Sequence, residues 1–109
     1  MAKRPIIALD FDGVLAEYSG WQGEHHMGNP IPGALEFINA NQSSYQFVIY
    51  TVRKPQRIIE WLQKNAFPYI PVTNTKPKAS AYIDDRAIRF DGNWESVQTS
   101  LPFQPWWKG

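Results

Sequence analysis

No cysteine occurs in the 109 residues, so disulfides, thiolate catalysis and cysteine-built metal sites are excluded. An excess of either charge is missing too: 11 Lys and Arg face 10 Asp and Glu, for a net charge of +1. That balance gives no electrostatic drive toward nucleic acid or membrane as a main partner. Long apolar runs are absent. Met1-Ala2-Lys3-Arg4-Pro5 leads into only four apolar residues, too few for a signal-peptide core or a membrane span, and a cytoplasmic location is expected. Histidine is limited to His25 and His26. Being adjacent, they make a poor metal pair and are read as residues of a solvated loop. No internal repeat, linker or low-complexity segment is visible. The length suits one domain over residues 1–109 with one core.

Aromatic residues, by contrast, are plentiful at 15%, with five Trp. Most are expected in the core, while Trp106 and Trp107 are expected to pack against the body or another subunit. The most informative stretch is Ile-Ile-Ala-Leu-Asp-Phe-Asp-Gly at residues 6–13. A short unbroken apolar run predicts a strand buried on both faces of a parallel sheet. Asp10 and Asp12, two apart, project to one side while the chain stays extended, and Gly13 permits the turn that follows. Two acids are thus delivered to the C-terminal end of a strand, where ligands bind in open α/β sheets. A cap or turn residue would explain one Asp; it explains two less well, because like charges held close repel unless a cation offsets them.

Along the rest of the chain, residues 14–30 are irregular and broken by Gly20, Gly23, Gly28 and Pro30, which predicts a long loop over the strand ends. Pro32 suits the first turn of a helix with Ala34, Leu35, Phe37 and Ile38 on its apolar side and Asn41 at its end. Residues 46–51 read as a second strand. Pro55 opens a second helix, in which Ile58, Ile59, Leu62 and Ala66 follow helical spacing, and Pro68 stops it. Residues 69–72 read as a third strand, placed at an edge by Pro71. Residues 79–83 form a fourth, ending in Asp84-Asp85, and 88–90 a brief fifth. Asp91-Gly92 marks a turn, and Asn93 caps a last helix with Trp94, Val97 and Leu101 on one face. Strands alternating with helices predict an α/β fold with a central parallel sheet and right-handed crossovers.

Three strands therefore end in polar groups: Asp10 with Asp12, Thr51, and Asp84 with Asp85. Carboxylates from two strands meeting at one edge call for a cation, and all-oxygen ligands suit Mg²⁺. In this arrangement, Asp10-Phe11-Asp12-Gly13-Val14, Thr51 after a strand, a downstream Lys and Asp84-Asp85 resemble the four motifs of the haloacid dehalogenase-like superfamily, in order over residues 6–90. Lys76-Pro77-Lys78-Ala79 leading to Tyr82-Ile83-Asp84-Asp85-Arg86-Ala87 is similar to its small hydrolase members, including phage-type ones.

The resemblance implies a Rossmann-like three-layer fold with sheet order 4-1-2-3, any fifth strand lying beside the fourth. It implies a phosphomonoester hydrolase acting through an aspartyl-phosphate. Asp10 would be the nucleophile and Asp12 the acid and base. Asp10, Asp12, Asp84 and Asp85 would hold Mg²⁺. Thr51, Val52, Arg53 and a lysine would hold the phosphate; Lys76 fits that place better than Lys78. Arg53 is equally readable as a solvated side chain, and Arg86 as a structural partner of a carboxylate. The intervals 13–50 and 52–75 leave no room for the cap domain of larger relatives. An open site suits a large phosphorylated substrate, or a lid supplied by a second subunit. A phosphatase for nucleic-acid ends and a non-catalytic metal- and phosphate-binding module are the alternatives. Retention of both Asp10 and Asp12 favours catalysis.

Overall fold

A computed structural model describes residues 3–108; Gly109 lies outside it, as do Met1 and Ala2 of the leading segment considered above. The chain is α/β. Strands β1 (Ile6–Leu9), β2 (Gln46–Tyr50), β3 (Val72–Thr73) and β4 (Ala81–Ile83) alternate with helices α1 (Ala34–Asn41) and α2 (Pro55–Lys64), and α3 (Trp94–Thr99) follows. All strand pairs are parallel, and the sheet order is β3-β2-β1-β4. Counted from the opposite edge, this is the expected 4-1-2-3. Leu9 lies beside Ile49 on one side and Ile83 on the other. The three strand ends thus share one edge of the sheet.

The core is built where the apolar pattern is strongest. Leu9, Phe47 and Ile49 from the sheet meet Ile38 of α1 and Ile58, Trp61 and Leu62 of α2, with Phe11, Leu15, Phe67 and Ile70 closing the cluster. Fully burying each such side chain contributes about 1.5–3 kcal/mol. Phe11 meets the Trp61 ring edge-to-face at 4.9 Å, so the residue between the two acids anchors the turn in the core. Pro71 leads into β3 at the sheet edge. Its carbonyl accepts from Ile49 N–H at 2.8 Å, and an edge strand, paired on one side only, tolerates a residue without an N–H.

Several expectations are corrected. Pro32 precedes α1 rather than lying in it; the helix opens after Gly33, whose φ is +93°. Helix α2 ends at Lys64, before Pro68, because Ala66 turns into the left-handed region at φ +61°. The third and fourth strands are shorter than their apolar runs, and no strand forms at residues 88–90. Asn93 caps α3 as its sequence suggests, accepting from Glu95 N–H at 2.8 Å. The face it was expected to bury is not buried: Trp94 is 74% exposed and α3 buries no residue. With six residues and Val97 its only aliphatic one, α3 has too little apolar surface to cover the sheet. α3 therefore contributes no buried residue to the expected third layer. Of the five Trp, Trp61 alone is buried. No helix among the described residues is long and apolar enough to cross a membrane.

Candidate functional site

The turn after β1 is tightly wound. The Phe11 carbonyl accepts from the N–H groups of Val14, Leu15 and Ala16, and Gly13 adopts φ +82°. A Cβ at Gly13 would lie 2.4 Å from Asp85 Oδ2. Only glycine lets the first turn and the acids after β4 approach so closely. The result is a cluster in which carboxylate oxygens of Asp10, Asp84 and Asp85 all lie within 4.8 Å of one another.

The three acids are held differently. Asp10 Oδ1 accepts from Phe11 N–H at 2.8 Å. Asp84 is exposed and accepts from Arg86 N–H at 2.7 Å. Asp85 is buried at 8% exposure; its Oδ2 accepts from the Trp107 indole at 2.6 Å, while its Oδ1 has no hydrogen-bond partner. A buried carboxylate oxygen without a partner is costly. Burial is the main cause that pushes the Asp10 carboxyl up to about 8 from 3.8, followed by its contact with Asp85 and the charges of Asp84 and Asp85, against the opposing Phe11 N–H bond.

That shift sets a pH dependence. A carboxyl whose folded pKa is raised contributes stability that is fully present below about pH 4 and is lost as pH rises through about 8. In chelator, the denaturant midpoint of the parent is expected to fall across that interval relative to Asp10→Asn. Parallel pH profiles of the two proteins would refute the assignment.

Asp10, Asp12, Tyr18, Trp21, Tyr50, Thr51, Val52, Asp84 and Arg86 line an open cavity of about 260 Å³. Thr51 is buried; its N–H donates to the Thr73 carbonyl and its hydroxyl accepts from Arg53 N–H at 3.2 Å. Val52 stands exposed on the rim.

Arg53 departs most from expectation. It is neither solvated nor placed for a phosphate: it is 1% exposed. Its Nε and Nη2 donate to Asp12 Oδ2 and Oδ1 at 2.8 and 3.0 Å, and Nη1 and Nη2 donate to the carbonyls of Glu24 and His26. The guanidinium also stacks on Trp21, 4.8 Å from the ring centroid. One side chain thus ties the acid after β1, the segment after β2 and the 14–30 loop together. That loop is further fixed at its base, where Glu17 N–H meets the Asn29 carbonyl and Ile31 N–H the Leu15 carbonyl. The Trp61 indole donates to the Gly28 carbonyl. The His25 ring lies 3.4 Å from Arg57, and neither histidine joins the acidic cluster.

Lys76 is not gathered into the cavity either. It is exposed, with its ammonium 5.0 Å from the centroid of the Tyr82 ring. Lys78 is exposed and also lies outside the cavity lining. Arg86 does line the cavity, beside Asp84. Sequence reasoning missed Asn74, whose amide donates to the carbonyls of Thr51 and Arg53 at 2.7 and 2.8 Å and so fixes the segment after β2. Its signal was faint: a polar residue directly after an edge strand. The Trp107 bond to Asp85 had no sequence signal beyond the aromatic pair itself.

Among solved structures, that of a conserved protein from Bacteroides thetaiotaomicron is similar, with a TM-score of 0.63 and 23% identity over 91% of this chain and 90% of that one. At that identity the likeness speaks for the fold alone. No protein-family model and no curated protein matches the chain.

Proposed function

We propose that the protein is a Mg²⁺-dependent phosphomonoester hydrolase of the haloacid dehalogenase type, with a Rossmann-like fold and an uncapped site. The observation that carries this reading is the trio Asp10, Asp84 and Asp85 at the sheet's C-terminal edge, with the Asp85 Oδ1 atom buried and unpartnered. A buried oxygen of this kind lacks an electrophilic partner, and three hard carboxylates fit a hard dication better than a transition metal. Asp10, Asp84 and Asp85 would hold the ion. When bound, it would offset the repulsion among these carboxylates and between them and an anionic substrate.

The chain's own groups then divide the work. The Phe11 N–H occupies one oxygen of Asp10, and the other is the candidate to attack phosphorus, forming an Asp–O–P bond as the P–O bond to the leaving group breaks. Asp12 lines the same cavity and is the candidate to protonate the leaving oxygen and then take a proton from the attacking water. Both Asp12 oxygens accept from Arg53, so carrying that proton requires one guanidinium bond to loosen. Thr51 and the adjoining backbone at Val52 form the phosphate side of the cavity. The substrate class is a phosphorylated molecule reaching an open site.

A second reading, a metal- and phosphate-binding module without turnover, draws support from the double Arg53 clamp on Asp12 and from the placement of Lys76 against Tyr82. Turnover of an aryl phosphate separates the two.

The metal part of the proposal is tested by melting. A cation that binds only the folded state adds about 2.7 kcal/mol at a hundredfold excess over its Kd. At roughly 4–8 °C per kcal/mol for a domain near this size, that is a rise of about 10 °C or more. Saturating Mg²⁺ is expected to raise the melting midpoint of the parent by that order. Asp85→Asn and Asp84→Asn should each shrink the rise. An identical Mg²⁺ response in all three proteins would place the metal elsewhere.

A further inference from the structure

Trp106 and Trp107 sit side by side in a turn closed by Lys108 N–H donating to the Pro105 carbonyl at 3.1 Å. Neither joins the buried core, yet both indoles reach the site. Trp106 Nε1 donates to the Gly13 carbonyl at 2.8 Å, and Trp107 Nε1 donates to Asp85 Oδ2 at 2.6 Å. The Tyr18 ring meets Trp107 edge-to-face at 4.9 Å, and Tyr18 itself lines the cavity. Core packing does not explain the pair, since Trp106 remains 66% exposed. Of the two, only Trp107 bonds one of the acids, whereas Trp106 meets a backbone carbonyl of the turn after β1.

We propose that Trp107 is a positioning residue for the cation site, holding one oxygen of Asp85 so that the other remains turned inward as a ligand. The inference rests on the reading of the acidic trio as a metal site. An indole N–H is a donor only. It occupies Oδ2 without competing for the metal, and rotating the carboxylate plane away from the indole would forfeit a short, charge-assisted bond. Oδ1, buried and partnerless, is the atom left to bind. Partners that orient metal-binding carboxylates act in this way, and losing one typically costs about 10–100-fold in metal affinity or activity. Trp106 bonds only a backbone carbonyl and serves as the internal control.

The test is a Mg²⁺ titration of the full chain by calorimetry, with aryl phosphate turnover measured against Mg²⁺ concentration. Trp107→Phe keeps the ring that meets Tyr18 and removes the donor. It should raise the Mg²⁺ dissociation constant about tenfold or more, raise the Mg²⁺ needed for half-maximal turnover in parallel, and leave turnover at saturating Mg²⁺ near that of the parent. Trp106→Phe should leave the Mg²⁺ constant within about threefold, short of the range expected for a lost orienting bond. Equal Mg²⁺ affinity in parent and Trp107→Phe would overturn the inference while leaving the metal site standing; a parent that binds no Mg²⁺ would overturn both. A measurement on the unaltered protein guards against misfolding of the variant. In nitrogen–proton correlation spectra, the Trp107 indole N–H signal should shift with Mg²⁺ and saturate at the calorimetric constant. A Trp107 signal that stays still while Mg²⁺ binds would refute the proposal.

Discussion

Asp10→Asn is expected to reduce Mg²⁺-dependent hydrolysis of an aryl phosphate by at least about 10⁴-fold, since losing a nucleophile typically removes nearly all the catalysis that a constellation supplies. The expectation follows from placement. Asp10 lies one residue past β1, and its N–H donates to the Ile83 carbonyl at 2.9 Å. Backbone hydrogen bonds of the sheet therefore fix it relative to Asp84 and Asp85. An amide at this position keeps the size and can still accept from Phe11 N–H, but it cannot attack phosphorus as an anion. Removing this carboxylate also removes the desolvation cost of its burial and the repulsion from Asp84 and Asp85, so the variant should be at least as stable as the parent in chelator at neutral pH. Loss of activity together with a retained or raised melting midpoint would separate chemistry from folding. Activity within tenfold of the parent would remove Asp10 from the nucleophile's role.

Replacing Arg53 should have the largest effect on stability. Arg53→Met keeps length and apolar contact and deletes every donor. It leaves Asp12 without its clamp, the Glu24 and His26 carbonyls without their donor, and Trp21 without the cation beneath it. Breaking a buried ion pair from one side costs about 3–5 kcal/mol, enough to lower the melting midpoint by 10 °C or more at ~4–8 °C per kcal/mol. Asp12→Leu with Arg53→Met should be less destabilised than the sum of the single changes, because no charge is then left unpaired. Strict additivity, or a loss below about 1 kcal/mol from Arg53→Met, would show that the pair is not the fastener inferred from its geometry. The pair also bears on how Asp12 changes are interpreted. Asp12→Asn brings an amide against the guanidinium, so any loss of activity must be compared with its loss of stability.

What the sequence revealed and what it concealed divide along the range of the forces involved. The strand at Ile6–Leu9, the edge position implied by Pro71 and the Asn93 cap are local signals that match the structure because neighbouring residues determine them, although only Ala8 and Leu9 of that strand are buried and Ile6 and Ile7 are half-buried. The gathering of Asp10, Asp84 and Asp85 was also legible, since parallel strands with short ends put their C-terminal residues together. Arg53 was not. Whether an arginine is solvated or buried depends on groups distant in sequence, here Asp12 and the carbonyls of the 14–30 loop. Trp107 was hidden for the same reason: its partner Asp85 lies 22 residues away. Conversely, apolar spacing around Trp94 overstated α3, because a six-residue helix with one aliphatic side chain finds no partner surface to repay its burial.

In the proposed mechanism, Asp10 becomes phosphorylated at a site completed by a cation. The most direct test is acid-quenched single turnover of an aryl phosphate in Mg²⁺, followed by mass spectrometry of the peptide spanning β1 and the turn after it. One added phosphoryl group is expected on Asp10 in the parent, none in chelator and none in Asp10→Asn. Aryl phosphate hydrolysis at full rate with no phosphoryl group ever trapped on that peptide, or with the label on another residue, would contradict that mechanism.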